Sequence, residues 1–486
     1  MSALHITRQY CAVVVTCRYE LAADSATESS AETIHDALQS AIAKTVLANP
    51  LLQVVQHGED SPSPAWRRVD EIDLSRHIHW HPISIQDDYE SQFKQTELKA
   101  MDTWYTDAER RPGWDVRVFH RDDNLRALDV MFSWNHAHID GVSGKLFHQQ
   151  VLSHLDAPDS GKELHFSSAN ILTLPDVTKR FPPPQEQLVK YPLSVKYTAS
   201  TLWSELKPAF LAGKNDHSAH WCPIRQTPMD SAYRTIDVDA AAMQKLLKLC
   251  RQRQTSLTGL IHALIAISFS LQLSEKHGHS PQPKSFKACT PIDHRRYITS
   301  PPAGQPDFDA NDCLMNIFST IWHEIDPEVI ESIRSKALGV SPSSPSEIIT
   351  AVEKELWSIA ATVRRDIQSR VEKGTADDVV GLAKFIKDWR SHHRDVTRKP
   401  RVGSWLVTNL GVVDAGSGPW KVTRSSFINP SEMCSAAICV TAISVKGGSL
   451  TLGVSWQKCV MEGSIAEQLV SNMETWLSQL SKDTKV

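Results

Sequence analysis

The fold turns on residues 128–155, LDVMFSWNHAHIDGVSGKLFHQQVLSHL. Leu128, Val130, Phe132 and Trp134 alternate with Asp129, Met131 and Ser133, the period of two that marks a half-buried strand. From Phe147 the apolar residues recur at every fourth position through Val151 to Leu155, as along the buried stripe of a helix. Asn135-His136-Ala137-His138-Ile139-Asp140-Gly141 lies between the two. A histidine is therefore expected on the turn from strand to helix, where a rigid scaffold can present a side chain to a cavity.

Working outward, Trp114 to His120 reads as a strand that leads across Arg121-Asp122-Asp123-Asn124 into the first one, forming a hairpin. Upstream, residues 10–20 read as a strand, 31–48 as an amphipathic helix stopped by Asn49-Pro50, 51–56 as a strand and 87–111 as helical. From about 157 to 229 periodicity fades and proline accumulates, as in Arg180-Phe181-Pro182-Pro183-Pro184, with one helix expected over 194–210. This stretch has the composition of a linker, so a boundary is expected near 215–230, between a first unit 1–215 and a second 230–486.

The second unit opens with a strand over 232–238 and a helix over 240–253. Thr255 or Ser256 can cap the next helix, whose Leu257, Leu260, Ile261, Leu264, Ile265 and Leu271 leave few polar faces and predict burial. A strand follows at 286–292, a Pro- and Gly-rich loop at 298–312, and helices at 346–371 and 377–389. Apolar strands at 405–413, 435–445 and 449–457, the last two joined by Lys446-Gly447-Gly448, lead to a helix at 464–480. No glycine-rich phosphate loop follows any strand, which argues against a nucleotide fold.

The chain has 486 residues, too many for one compact core. Its 41% hydrophobic and 22% charged residues describe a globular protein, and a net charge of -4 provides no field to attract nucleic acid or an anionic membrane. The nine cysteines are scattered without a C-x-x-C pair or zinc-finger spacing, so no metal is expected and reduced core thiols are. The first residues lack a signal-peptide core, and the longest apolar run, 260–273, is broken by His262 and is too short to span a bilayer. The expectation is a monomeric cytoplasmic protein.

His136-x-x-x-Asp140-Gly141 resembles the signature of acyltransferases with the chloramphenicol-acetyltransferase-like fold, which include plant BAHD enzymes, condensation domains and fungal alcohol O-acetyltransferases. Ser256-Leu257-Thr258, Thr290-Pro291-Ile292-Asp293-His294-Arg295-Arg296 and Val407-Thr408-Asn409-Leu410-Gly411 extend the likeness over nearly the whole chain. They are most similar to the alcohol O-acetyltransferase branch. The plant Asp-Phe-Gly-Trp-Gly motif is missing, and Asn135 stands where condensation domains carry a second histidine. The resemblance implies an α/β protein of two subdomains, each a mixed sheet flanked by helices, with the active-site channel between them.

It also implies a reaction. A thioester is already activated, because its leaving thiol has a pKa near 8.5, but an alcohol is almost wholly protonated at pH 7 and needs a base. A neutral histidine suits that task. The resemblance assigns His136 as general base, Thr408 and Asn409 as aids to the oxyanion, and Asp140 with Arg295 as structural support for the loop, Arg296 being a weaker partner. Gly141 is expected to supply a backbone conformation closed to other residues. Ser143 reads as a helix cap or a solvated residue, and His138 as a packing residue.

No basic cluster in the sequence marks a coenzyme A site, so acyl-CoA, and acetyl-CoA in particular, enters as the implied co-substrate, with a small alcohol or secondary metabolite as acceptor. The alternatives are ester or amide formation from a carrier-bound acyl group, and a cyclisation or rearrangement that uses the same cavity.

Overall fold

The computed structural model describes residues 1–22, 31–61, 63–156, 164–168, 170–175, 181–206, 219–225, 229–274, 282–338 and 345–483. Strands β1 (Ala12–Leu21), β2 (Ile78–Ile83), β3 (Trp114–Arg121) and β4 (Asn124–Asn135) come from the first half of the chain. The second half supplies β5 (Ser231–Val238), β6 (Phe286–Asp293), β7 (Phe318–Ile325), β8 (Gly403–Val413), β9 (Trp420–Ile428), β10 (Ala436–Val445) and β11 (Leu450–Gln457).

These strands form a five-stranded sheet, β9-β1-β4-β3-β2, and a six-stranded sheet, β5-β11-β10-β8-β6-β7. The first is antiparallel except for β2 beside β3. In the second, β8 runs parallel to both β6 and β10 while the remaining pairs are antiparallel. Both sheets are mixed and flanked by helices, the architecture that the resemblance implied.

The quoted segment does what its pattern predicts. After helices α1 (Ser2–Ile6), α2 (Ala31–Ala48) and α3 (Tyr89–Met101), Phe132 and Trp134 of β4 pack with Phe147 and Val151 of helix α4 (Gly141–Asp156) in one core. Leu38 and Ile42 of α2 join that core. On the opposite face, Met131 of β4 and Val14 of β1 pack with Ala100 and Met101.

In the second half the expected buried helix is present. It is α5 (Leu257–Gln272), capped by Ser256, whose Oγ accepts from Gly259 N at 3.1 Å. It lies in a core shared with α6 (Glu353–Lys373) and α8 (Gly463–Asp483), the short helix α7 (Trp389–Val396) lying between these in the chain. Among the described residues no single helix is long and apolar enough to cross a membrane.

One strand belongs to the other half's sheet. β9 leaves the second half and pairs with β1 at the edge of the first sheet, with Val14 opposite Ile428 and Leu21 opposite Trp420. Sequence periodicity does not reveal it, because Thr423, Arg424, Ser425 and Ser426 interrupt its apolar residues.

Several expected boundaries change for local reasons. The helix read over 87–111 stops at Met101, and the carboxylate of Asp102 turns away to accept from Ser231 N and Oγ at 3.0 and 2.6 Å. The strand read over 51–56 begins with a 3-10 turn, Pro50–Leu52, before Val54–His57. The helix read over 346–371 is two, Pro345–Ala351 and α6. The helix read over 377–389 is a 3-10 segment, Val379–Phe385, followed by α7, each started by an aspartate cap, Asp378 and Asp388. The helix read over 194–210 is described over Val195–Leu206; residues 207–210, and much of the boundary region at 215–218 and 226–228, lie outside the described residues.

Two glycines set close approaches. A Cβ on Gly144 would lie 2.2 Å from the Trp134 ring, so α4 can sit on β4 only with glycine there. A Cβ on Gly259 would lie 2.4 Å from the Ala360 carbonyl oxygen, where α5 meets α6. Because that neighbour is backbone, Gly259→Ala should destabilise the fold by about 1–3 kcal/mol, the usual cost of overpacking. Thermal unfolding of the variant against the parent checks this; an unchanged melting temperature would mean that the two helices slide apart freely.

Candidate active site

His136 begins the turn that follows β4. Its carbonyl oxygen accepts from Asn316 Nδ2 at 2.6 Å. Its ring lies 5.3 Å from that of Tyr10 and 5.6 Å from that of Phe318, centroid to centroid. Nδ1 is enclosed and has no hydrogen-bond partner among the described residues. Burial depresses the imidazole pKa to about 4, against smaller opposing effects of its own main chain and of Asp140. The ring is therefore neutral at pH 7. Ala137, Asn316 and Phe318, all immediate neighbours of His136, line a cavity of about 730 Å³ whose other walls include Trp66, Val379 and Trp389.

Asp140 points away from that cavity. Its carboxylate receives Arg295 Nη1 at 2.8 Å and Nη2 at 3.1 Å, a bidentate pair with both side chains at most 6% exposed. It also accepts from Ser143 N at 2.9 Å and Ile317 N at 3.1 Å. Burial alone would raise this carboxyl, but Arg295 and the two backbone donors hold it below its ordinary value. Arg295 further donates to Ser143 Oγ at 2.8 Å, the Met315 carbonyl at 3.1 Å and Asp293 at 3.1 Å. The pair thus ties the start of α4 to the strand β6 end and to the 315–317 segment that carries Asn316.

Two readings of this loop need correction. Ser143 is neither solvated nor the cap: it is fully buried, its hydroxyl bonded between Asp140 and the Met315 carbonyl, and Asp140 performs the capping. Gly141 has no left-handed backbone; glycine leaves room there, since a Cβ would lie 3.0 Å from Leu410 Cδ2 and 3.4 Å from Phe427. His138 is 2% exposed, with Nδ1 3.2 Å from the Leu51 carbonyl and its ring 4.4 Å from that of Trp66. It packs the far side of the turn.

Thr408 is half-buried on β8 opposite Thr441 of β10, and Asn409 is exposed, donating to Thr258 Oγ1 at 3.3 Å and accepting from Gly411 N at 2.8 Å. Neither lines the cavity beside His136. The segment reaches the motif through Leu410, whose side chain meets Gly141 and whose carbonyl accepts from Lys145 Nζ of α4 at 2.9 Å. Arg296 has no hydrogen bond or ion pair with Asp140, whereas His294, on the other side of Arg295, is held between Tyr191 OH at 2.8 Å and Ser319 Oγ at 3.0 Å. Ser319 in turn donates to Asp378 at 2.7 Å, which fixes the Val379–Phe385 wall of the cavity to β7.

Tyr10, Asn316, Phe318 and Glu432 are missed by sequence reasoning. Burial raises the Glu432 carboxyl to about 7, and its charge in turn helps to raise the Tyr10 phenol, so it lies near the ring that packs on His136. No local signal announces these residues, because each reaches the site from a different segment.

Asp140→Asn removes the counter-charge from a buried guanidinium and should destabilise by about 3–5 kcal/mol, with Asp293 left to offset part of the loss. Thermal unfolding and activity should fall together. A variant that melts like the parent but is inactive would move Asp140 from support into the chemistry.

Residues 79–310 match the family model for alcohol acetyltransferase, a span that holds His136, Asp140 and Arg295 and ends before Thr408. The chain is 25% identical over 454 residues to "Probable alcohol acetyltransferase FCK4" of Fusarium pseudograminearum, covering 92% of this chain and 86% of that one. It is 22% identical over 434 residues to "Probable alcohol acetyltransferase crmB" of Aspergillus fumigatus, covering 85% and 83%. Among solved structures, it shares a fold with the TRI3 trichothecene 15-O-acetyltransferase of Fusarium sporotrichioides, at a TM-score of 0.68 and 14% identity over 98% of this chain and 94% of that one. The first condensation domain of the CDA synthetase aligns at a TM-score of 0.55 and 11% identity over 100% and 94%. Residues 79–310 are thus similar to alcohol acetyltransferases, and the chain has the chloramphenicol-acetyltransferase-like fold, the likeness implied by its His136-to-Gly141 signature.

Proposed function

We propose that the protein is an O-acyltransferase that moves an acyl group, acetyl by analogy with its relatives, from acyl-CoA to the hydroxyl of a small alcohol or secondary metabolite. The observation that carries the reading is the state of His136: a neutral imidazole, clamped through its carbonyl by Asn316, beside a cavity large enough for a metabolite. Because Nδ1 is enclosed, Nε2 is the nitrogen assigned to the proton.

In this mechanism Nε2 takes the acceptor hydroxyl proton as its oxygen attacks the thioester carbonyl. The tetrahedral adduct then expels the coenzyme A thiolate, which recovers that proton from the imidazolium. Each transfer is general acid-base catalysis of the kind a positioned histidine supplies. The Thr408 hydroxyl, which makes no hydrogen bond within the described residues and stands outside the cavity lining, is assigned as donor to the oxyanion on the resemblance alone, and Asn409 holds the strand end beside it. Asp140 and Arg295 hold the loop and move no proton.

His136→Ala should lower kcat by about 10²- to 10⁴-fold at saturating donor and acceptor while leaving the melting temperature nearly unchanged. Thiol release from acetyl-CoA with a panel of alcohols measures it. Retention of the parental rate would end the mechanism. Conversion of a metabolite that depends on His136 but consumes no thioester would favour rearrangement or cyclisation.

The pH profile gives a second check. Protonation disables the base, and a pKa depressed to about 4 keeps it unprotonated as pH falls through the ordinary imidazole range. The His136 limb of kcat/KM should therefore lie near pH 4, with no loss centred at 6.5. A limb at 6.5 that vanished with His136 would show that the free enzyme exposes this ring to water.

A further inference from the structure

Two cavities flank helix α7: His393 lines the 730 Å³ cavity beside Ala137, and Arg394 lines a second, of about 640 Å³. Their charges differ. The first mixes Glu59, Glu186 and Asp388 with Lys387 and Arg390. The second is lined by Arg8, Arg225, Arg394 and Arg398 and, among the described residues, by no carboxylate, although the chain as a whole has a net charge of -4. Arg398 has an exposed partner, Asp395, at 3.3 Å, and Arg8 lies over the ring of Trp104 at 4.8 Å, while Arg225 and Arg394 have no ion-pair partner among the described residues.

Beneath this cavity Arg401 is fully buried and donates to the carbonyl oxygens of Cys222 at 2.8 Å, Met433 at 2.7 Å and Ala436 at 3.3 Å. Five guanidinium groups are thus gathered, with the Asp395 carboxylate beside Arg398 and the buried Glu432 carboxyl near Arg401 as their acidic neighbours. Like charges repel, so such a group is unfavourable until an anion joins it, and the planar fork of arginine matches phosphate oxygens in pairs.

The second cavity is linked to the proposed base through one chain neighbour. Gln9 and Met433 line it, and the Gln9 carbonyl receives Met433 N at 3.4 Å to close that wall. The next residue, Tyr10, packs its ring 5.3 Å from that of His136. Arg8 and Tyr10 are two residues apart, a span of at most about 7 Å. A ligand anchored by phosphates at the arginines would therefore lie within the reach of a long flexible arm ending at His136.

We propose that this arginine-lined cavity binds the phosphate groups of the nucleotide end of the acyl donor, which leaves the charge-balanced cavity on the other side of α7 to the acceptor. The inference rests on acyl transfer from a coenzyme A thioester.

The test uses the full chain with Arg225→Glu and Arg394→Glu made singly, both at exposed positions, and Arg394→Lys as a variant that keeps the charge. KM is measured for acetyl-CoA, for acetyl-pantetheine, which has the same thioester without the nucleotide, and for the acceptor. Each reversal should raise the KM for acetyl-CoA about tenfold or more, and the KM for acetyl-pantetheine and for the acceptor far less, with Arg394→Lys between parent and reversal. Equal effects on the two donors, or a KM for acetyl-CoA within twofold of the parent in both folded reversals, would overturn the site while leaving the proposed reaction intact. If the parent consumes no acetyl-CoA, the reaction fails, and calorimetric binding of adenosine 3′,5′-bisphosphate decides the site: binding weakened by the reversals upholds it, and no binding to the parent overturns it.

Discussion

Taking Asp140 and Arg295 out of water costs several kcal/mol for each charge, and the turn that carries His136 has its shape because the contacts that offset this cost exist in one geometry only. The guanidinium fork takes both carboxylate oxygens, the amides of Ser143 and Ile317 take what remains, and the Ser143 hydroxyl bridges to the main chain of Met315. Three segments far apart in the chain, 140–143, 293–295 and 315–317, meet at this point. Asn316 lies within the last of them, and its amide then clamps the His136 carbonyl. The position of the proposed base thus follows from an ion pair that never faces the cavity.

The two halves are joined by more than this pair. β9 leaves the second half to complete the edge of the first sheet, and Phe427 near its end lies against Gly141. Leu410, at the end of β8, reaches the same glycine, and Lys145 of α4 donates to the Leu410 carbonyl. A larger residue at position 141 would press on both strands at once. Its glycine therefore reflects the meeting of the halves, since the backbone there is ordinary.

Burial acts on the site in two ways. It keeps the His136 ring neutral, which suits a base, and it raises the Glu432 carboxyl to about 7 near the Tyr10 side of that ring. Outside this desolvated centre the fold keeps its charges unevenly, with balanced signs on one side of α7 and an excess of arginine on the other. The unevenness is invisible in the net charge, because distant acidic residues cancel it.

Local pattern was enough to find the β4 strand, the α4 helix and the turn between them, because alternation at two and recurrence at four survive whatever the rest of the chain does. Ser256 was legible as a cap for the same reason, as a choice made within a few residues. Asp140 and Arg295 were legible as partners through the resemblance carried by their motifs, which stand 155 residues apart.

Helix ends at 101, 351 and 385 were not legible, since side chains such as Asp102 leave the helix for partners on other elements. The strand at 420–428 escaped because polar residues break its alternation, and its place is decided by β1. Tyr10, Asn316 and Phe318 around His136, and the arginines at 8, 225, 394 and 398, are scattered in the sequence and adjacent only in space. Sequence alone determined what recurs along the chain and the signature it carries; tertiary structure decided which distant side chains share one cavity, because desolvation and ion pairing depend on distance in space and carry no period along the chain.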